Sequence, residues 1–250
     1  MSAISRNLLL AALTPGARES LLSASTEVDL PLRTMLYEAE VTPQYGYFIT
    51  SGIASVVTEM PDGATAEVGL IGREGLVGSL HLLGPAPVST SCFIQLEATG
   101  LRVPFPYLQK AFRSSDEIRD RVLEFVQSQT SSLGQLAACH RLHEAEERLA
   151  RWLLMAQDRT QSDVLHFTQE FLAMMLGARR TTVTLVAGSL QRSGLIEYQR
   201  GRVKIINRDE LEAAACECYP VTRQLLQALY KQELPSAHVF GGDNHVRSGA

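Results

Sequence analysis

The chain has 250 residues, with 23 Lys and Arg against 27 Asp and Glu (formal charge −4), 45% hydrophobic and 20% charged residues. This is a folded chain with room for one large or two modest domains, not a disordered or fibrous one. The longest apolar run near the start, NLLLAAL, falls far short of the roughly 20 residues of a membrane span, and neither a basic leader region nor an A-x-A-type cleavage site accompanies it. Neither a membrane anchor nor a secretory signal is therefore expected.

In chain order, the sequence predicts a short helix over about Leu8 to Ala24, then strands and turns from about Leu30 to Val103. YFITSGIASVVTEM is rich in β-branched and aromatic residues, PDG at 61–63 supplies a turn, and ATAEVGLIG returns as the second arm of a hairpin. Glycines 69, 72, 75 and 78 in GLIGREGLVG predict tight corners or close backbone approach. Short strands at this spacing predict a small barrel or jelly roll. Near Asp116 the period changes to three- and four-residue steps, and Ile118, Val122, Val126, Leu133 and Leu136 lie near one stripe. Symmetric pairing of that stripe with a second copy is the favoured reading, against a helix packed only within its own chain. A break near His140 to Glu144 leads into a second helix, EAEERLARWLLMAQ.

Charge is unevenly distributed. Between Thr168 and Arg208 stand seven cations and two anions, a net +5, so the remaining residues carry −9 within the total of −4. Such an island serves either as an electrostatic footprint for phosphate or as a solvated face. The pattern inside it favours the first. HFTQEFLAMMLGARRTTVTLVAGSLQRSGLI fits a helix-turn-helix, with Thr168 as N-cap and Leu172, Met175 and Leu176 as the buried face of the first helix. Gly177 falls where the turn needs a left-handed residue. In the second helix Val183, Val186, Ala187 and Leu190 face the domain. At 100° per residue the opposite side carries Thr181, Leu185, Gly188 and Arg192, flanked by Arg180 and Thr184. A helix so divided can enter the major groove, where arginine pairs bidentately with guanine and a Thr or Leu meets a thymine methyl. LIEYQRGRVKII reads as a hairpin turning at Arg200–Gly201, a wing with Arg200, Arg202 and Lys204 around its tip to hold phosphate. Thr168, Arg179, Arg180, Thr181, Thr184, Leu185, Arg192, Arg200, Arg202 and Lys204 are thus the residues expected to touch double-stranded DNA.

Together these segments resemble the Crp/Fnr superfamily of bacterial transcription regulators, most specifically in ERLARWLL, in FTQEFLAMMLGARRTTVTLVAGSLQRSGLI and in YFITSG…VGLIGREGLVG. The resemblance spans about Leu8 to Pro220. It implies an α+β fold with a cyclic-nucleotide-binding-like jelly roll (1–115), a dimerisation helix (116–143) and a winged helix (144–235); beyond the resemblance, the terminal stretch 236–250, SAHVFGGDNHVRSGA, is expected to be a disordered tail. It also implies a cytoplasmic homodimer that reads a near-palindromic site, with RNA polymerase as a further partner. Arg180 matches the family's guanine-reading arginine. Thr181 stands where many members carry glutamate, and Leu185 where the catabolite activator has another arginine, so a different operator is expected. Cyclic-nucleotide-binding members carry a G-E-L segment followed by an arginine and a Ser or Thr. Here GSLHLLGPAPVSTS places Ser79 at the glutamate and Ser89 or a neighbour at the arginine. Binding of cyclic AMP or GMP in the usual way is not expected, and the effector stays unassigned.

The iron–sulfur branch needs clustered N-terminal cysteines, but the first cysteine is Cys92, followed by Cys139, Cys216 and Cys218, with no C-x-x-C pair. That scarcity fits a reducing cytoplasm. His81 lies one residue from the haem branch's ligand position and reads as an ordinary half-buried histidine. Cys139, His140 and His143 read as polar residues ending a helix rather than metal ligands. Cys216 and Cys218, two apart on an expected helix and so on different faces, read as structural. No cofactor is expected. No H-E-x-x-H, G-x-S-x-G or P-loop ending supports an enzyme. The alternative to a DNA-binding regulator is a sensor module that signals through protein contacts, which the basic wing argues against.

Overall fold

The computed structural model describes residues 6–230. Helices α1 (Leu8–Ala11) and α2 (Pro15–Leu22) precede strands β1 (Thr26–Leu30), β2 (Met35–Tyr37), β3 (Tyr45–Glu59), β4 (Thr65–Ile71), β5 (Leu76–Val77) and β6 (Ser91–Pro104). The single N-terminal helix expected from the sequence is thus two. Pro15 cannot donate an interior helix hydrogen bond and instead opens α2 at its first position.

The strands form one antiparallel six-stranded sheet in the order β1-β6-β3-β4, with β2 on β6 and β5 on β3. The expected hairpin is present: Glu59 pairs Thr65 and Ala54 pairs Ile71. The long strands β3 and β6 pair from Tyr45↔Pro104 to Val57↔Ser91, with register shifts between Ile49 and Ala54. Such irregularities bend a strand, so each of the two can serve both halves of the roll.

Helix α3 (Phe105–Ser114) leads to α4 (Asp116–Leu142). The Ser115 hydroxyl caps α4 by accepting the Ile118 N–H at 3.3 Å, and Asp116 and Glu117 sit in the first turn, where the helix dipole favours anions. Glu117 also accepts the Thr14 backbone N–H at 2.6 Å and hydroxyl at 2.7 Å, tying the N-terminal helices to α4. Ile118, Val122, Phe125 and Val126 belong to the core of the β domain. A Cβ on Gly75 would stand 2.4 Å from the Phe125 ring, so the glycine allows α4 to lie directly on the β4–β5 corner.

The chain bends at His143–Glu144 into α5 (Ala145–Thr160), as expected. Glu147 fixes the new start by accepting the Glu144 N–H at 3.0 Å. Then come β7 (Val164–His166), α6 (Gln169–Leu176), α7 (Arg180–Arg192), β8 (Ile196–Gln199), β9 (Arg202–Ile205), α8 (Arg208–Ala214) and α9 (Cys218–Tyr230). The wing is a three-stranded sheet, β7-β9-β8, one strand more than the sequence suggested. The second core joins α5, α6, α7 and the wing to Ile53, Leu70 and Leu96 of the β domain. No described helix is long and apolar enough to cross a membrane. The expected tail, 236–250, lies outside the described residues.

Candidate nucleic-acid interface

Thr168 caps α6 as expected, its hydroxyl accepting the Phe171 N–H at 3.2 Å. Leu172, Met175 and Leu176 are buried, and Gly177 ends the helix at φ +54°. A β-carbon is strained there, so the glycine sets the sharp turn into α7. The Arg148 guanidinium donates to the Leu176 carbonyl at 3.0 Å, satisfying a group the helix end leaves open. Of the inner face of α7, Val183, Ala187 and Leu190 are buried and Val186 is half-buried.

The other side of α7 faces water. Arg179, Arg180, Thr181, Thr184, Leu185 and Arg192 are all exposed, and Leu185 keeps 71% of its surface. The Arg180 guanidinium pairs with Glu170 at 2.9 Å across the turn, both side chains being more than half exposed. The Thr184 hydroxyl donates back to the Arg180 carbonyl at 3.0 Å. Arg200 (φ +50°) and Gly201 (φ +75°) turn the wing hairpin, and Arg200, Arg202 and Lys204 are exposed on it. Two successive positive φ values make a type I′ turn, whose twist matches that of the strands. Thr168 stands apart from this surface: it lines a cleft of about 310 Å³ with Leu32 and Phe93 of the β domain. Arg208, counted in the basic island, is engaged inward, with Asp158 at 2.8 Å and Glu212 at 2.9 Å.

The helix α5 beneath the motif rests on the β domain through polar groups that the sequence did not single out. Trp152 donates to Glu67 Oε1 at 2.9 Å and Ser55 donates to Oε2 at 2.7 Å. Burial pushes the Glu67 carboxyl up to about 7, against the lowering effect of those two donors and of Arg151 and Arg159. Arg159 pairs with Glu74 at 2.7 Å, the side chains 6% and 4% exposed. Trp152 also meets Phe167 edge-on at 4.6 Å and Phe171 at 5.8 Å, linking α5 to the start of the motif.

In the β domain a cavity of about 120 Å³ is lined by Tyr37, Val56, Ile71, Ser79, Thr90 and, from α4, Val126, Gln129 and Leu133, and no charged side chain is among its lining residues. Ser89 is exposed. His81 is half-buried between the edges of Tyr37 (4.8 Å) and Phe105 (6.1 Å), and burial lowers its pKa.

The expected pairing stripe needs correction. Ile118 (2% exposed), Val122 (0%) and Val126 (9%) are covered by their own chain, so they offer no face to a second copy. Leu133 is 44% exposed, and Leu136 is half-buried. Cys216 and Cys218 are not on different faces of one helix either. Cys216 precedes α9, in the joint after α8, and both thiols turn towards the end of α4.

A β roll whose long helix leads into a winged helix with an outward cationic end defines a two-domain protein of the DNA-binding regulator class. Residues 27–115 match the model of the cyclic nucleotide-binding domain, and residues 147–214 match that of the Crp-like helix-turn-helix domain. The CRP-like cAMP-activated global transcriptional regulator of Mycobacterium tuberculosis is 25% identical over 209 residues, covering 80% of this chain and 93% of its own. Among solved structures, FixK2 of Bradyrhizobium japonicum is similar at a TM-score of 0.65 and 16% identity, over 77% of this chain and 98% of that one. The c-di-GMP responsive regulator CLP of Xanthomonas campestris aligns at a TM-score of 0.62 and 20% identity, over 78% and 100%. The chain belongs to the Crp/Fnr superfamily and is a Crp-like transcription regulator with a helix-turn-helix DNA-binding domain.

Proposed function

We propose that the protein binds a near-palindromic operator as a homodimer, with the first turns of α7 in the major groove and the wing on the adjacent backbone. The observation that carries this reading is the exposure together of Arg179, Arg180, Thr181, Thr184 and Leu185 at one end of α7, beside Arg200, Arg202 and Lys204 of the wing. The exposed Leu185 among these arginines can meet a thymine methyl in the groove.

The dimer contact is assigned to the outer face of α4. Leu123, Gln127, Thr130, Gly134, Ala137 and Arg141 recur in steps of four and three, the spacing of a seam between two parallel helices, and all six are exposed. Leu133 lies at its edge. The effector is not a cyclic nucleotide held in the family's usual way: the cavity lining offers neither a carboxylate for a ribose hydroxyl nor a cation for a phosphate. Selection of a randomised duplex library, with and without cyclic AMP, tests the reading. The expected result is a twofold-symmetric site recovered equally in both arms. An asymmetric or absent preference removes the operator assignment, and a cyclic-AMP-dependent preference removes the effector assignment.

A further inference from the structure

Cys139 lies in the last turn of α4, and His143 is the residue that caps it, its backbone N–H donating to the Cys139 carbonyl at 3.1 Å. Cys216 and Cys218 come from the joint between α8 and α9. One donor atom from each of the four lies within 4.8 Å of the others. The Cys139 and Cys216 sulfurs are 3.5 Å apart, and Cys218 Sγ is 3.5 Å from His143 Nδ1. Tetrahedral zinc, with bonds of about 2.0–2.3 Å, sets its sulfur and nitrogen ligands about 3.5–3.8 Å apart. The span suits one ion and is too small for a multi-iron cluster.

The surroundings are those of a metal-ligating set. His143 Nε2 meets Glu217 Oε1 at 3.0 Å, which orients Nδ1 towards the thiols, as carboxylates do behind ligating histidines. Gln135 donates to Cys218 Sγ at 3.0 Å. Arg151 is buried, its Nε has no hydrogen-bond partner among the described residues, and it sends a positive field to Cys139 and Cys216. Three thiolates and one divalent cation sum to −1, which a guanidinium offsets.

We propose that Cys139, His143, Cys216 and Cys218 bind one zinc ion in a closed Cys₃His site that fastens α9 to the end of α4. Binding displaces three thiol protons and leaves no open coordination position, so the ion has a structural role. It sits beside the His143–Glu144 bend, where the connecting helix hands over to the DNA-binding half.

Protein purified under reducing conditions should contain about one zinc per chain by plasma mass spectrometry, released by a mercurial thiol reagent. Production in cobalt-supplemented medium should give the strong visible and near-ultraviolet bands of tetrahedral cobalt thiolate. Cys216→Ser and His143→Ala should lower retained metal at least tenfold, whereas His140→Ala should keep it. If Cys216→Ser does not fold, the wild-type cobalt spectrum decides alone. A wild-type protein without cobalt bands, a Cys139–Cys216 disulfide in anaerobically prepared material, iron with inorganic sulfide, or equal metal loss in His140→Ala would each overturn the assignment.

Discussion

Two arginines only a short distance apart in the sequence have separable tasks. Arg180 begins α7, and its present partner, Glu170, is exposed and easily exchanged for a base edge. Arg180→Ala should cost about 1–3 kcal/mol on the selected operator and relax the preference at one base pair per half-site. Arg202 lies on the wing strand. Arg202→Ala should weaken all sequences alike and reduce the salt slope by about one for each phosphate no longer neutralised, so about two per dimer. Library binding at two salt concentrations separates them: base preferences changed by Arg202→Ala and kept by Arg180→Ala would reverse the placement. Both side chains were legible in the sequence, because a helix with one apolar side leaves its other side to solvent. Glu67 was not. A glutamate in a strand gives no sign of burial, and its partner Trp152 lies 85 positions away. The carboxyl of Glu67 is held near 7, above its value in the unfolded chain. Between about pH 4.5 and 7 the folded state therefore holds a proton that the unfolded state has lost, and stability falls as pH rises through that window. The loss amounts to about 3–4 kcal/mol at most, at about 1.4 kcal/mol per pH unit. Glu67→Gln, which can still accept from Trp152 and donate to Ser55, should flatten that slope and raise stability at pH 7.5. Urea titrations at pH 5 and 7.5 measure it, and an unchanged slope would dismiss Glu67 as its source.

At the scale of the element, α4 shows what periodicity can and cannot say. Apolar residues at three- and four-residue steps state that a face is buried, and they do not state against what. The first turns of α4 are covered by the β domain, while beyond Leu123 and Leu133 the outer face presents mostly small and polar side chains, which carry little hydrophobic signal. Val126→Glu should therefore unfold the β domain rather than yield a folded monomer. Gly134 has open space where a Cβ would stand, so a larger residue there leaves the subunit intact while obstructing a close helix pair. Gly134→Glu should give a folded monomer by sedimentation, with operator affinity reduced at least tenfold. A dimeric Gly134→Glu would move the contact elsewhere. The turn at Gly177 and the hairpin at Arg200–Gly201 were legible because turn chemistry is local. The joint of α8 and α9 was not, since nothing near Cys216 signals that its thiol meets Cys139, 77 residues earlier.

For the whole molecule, the decisive feature is that the winged helix shares a core with the β domain, through Ile53, Leu70 and Leu96, and locks to it with the Glu74–Arg159 pair. An ion pair this buried is sensitive to mutation: removing one partner takes away a buried counter-charge and costs about 3–5 kcal/mol. The chain's single tryptophan, Trp152, stands at that joint with its indole N–H on Glu67, so its fluorescence reports the meeting of the domains and far-ultraviolet dichroism reports the whole fold. The wild type should lose both signals together in urea, as a cooperative unit does. In Arg159→Met the guanidinium is gone, Glu74 is deprived of this buried cation, and the joint should give way first. The fluorescence transition should then move to lower urea than the dichroism transition, and replacing Glu74 by Gln in the same chain should bring the two back towards coincidence. Should both transitions of Arg159→Met shift equally and remain superimposed, the two halves do not separate at this joint, and the pair stabilises the fold without acting as its seam.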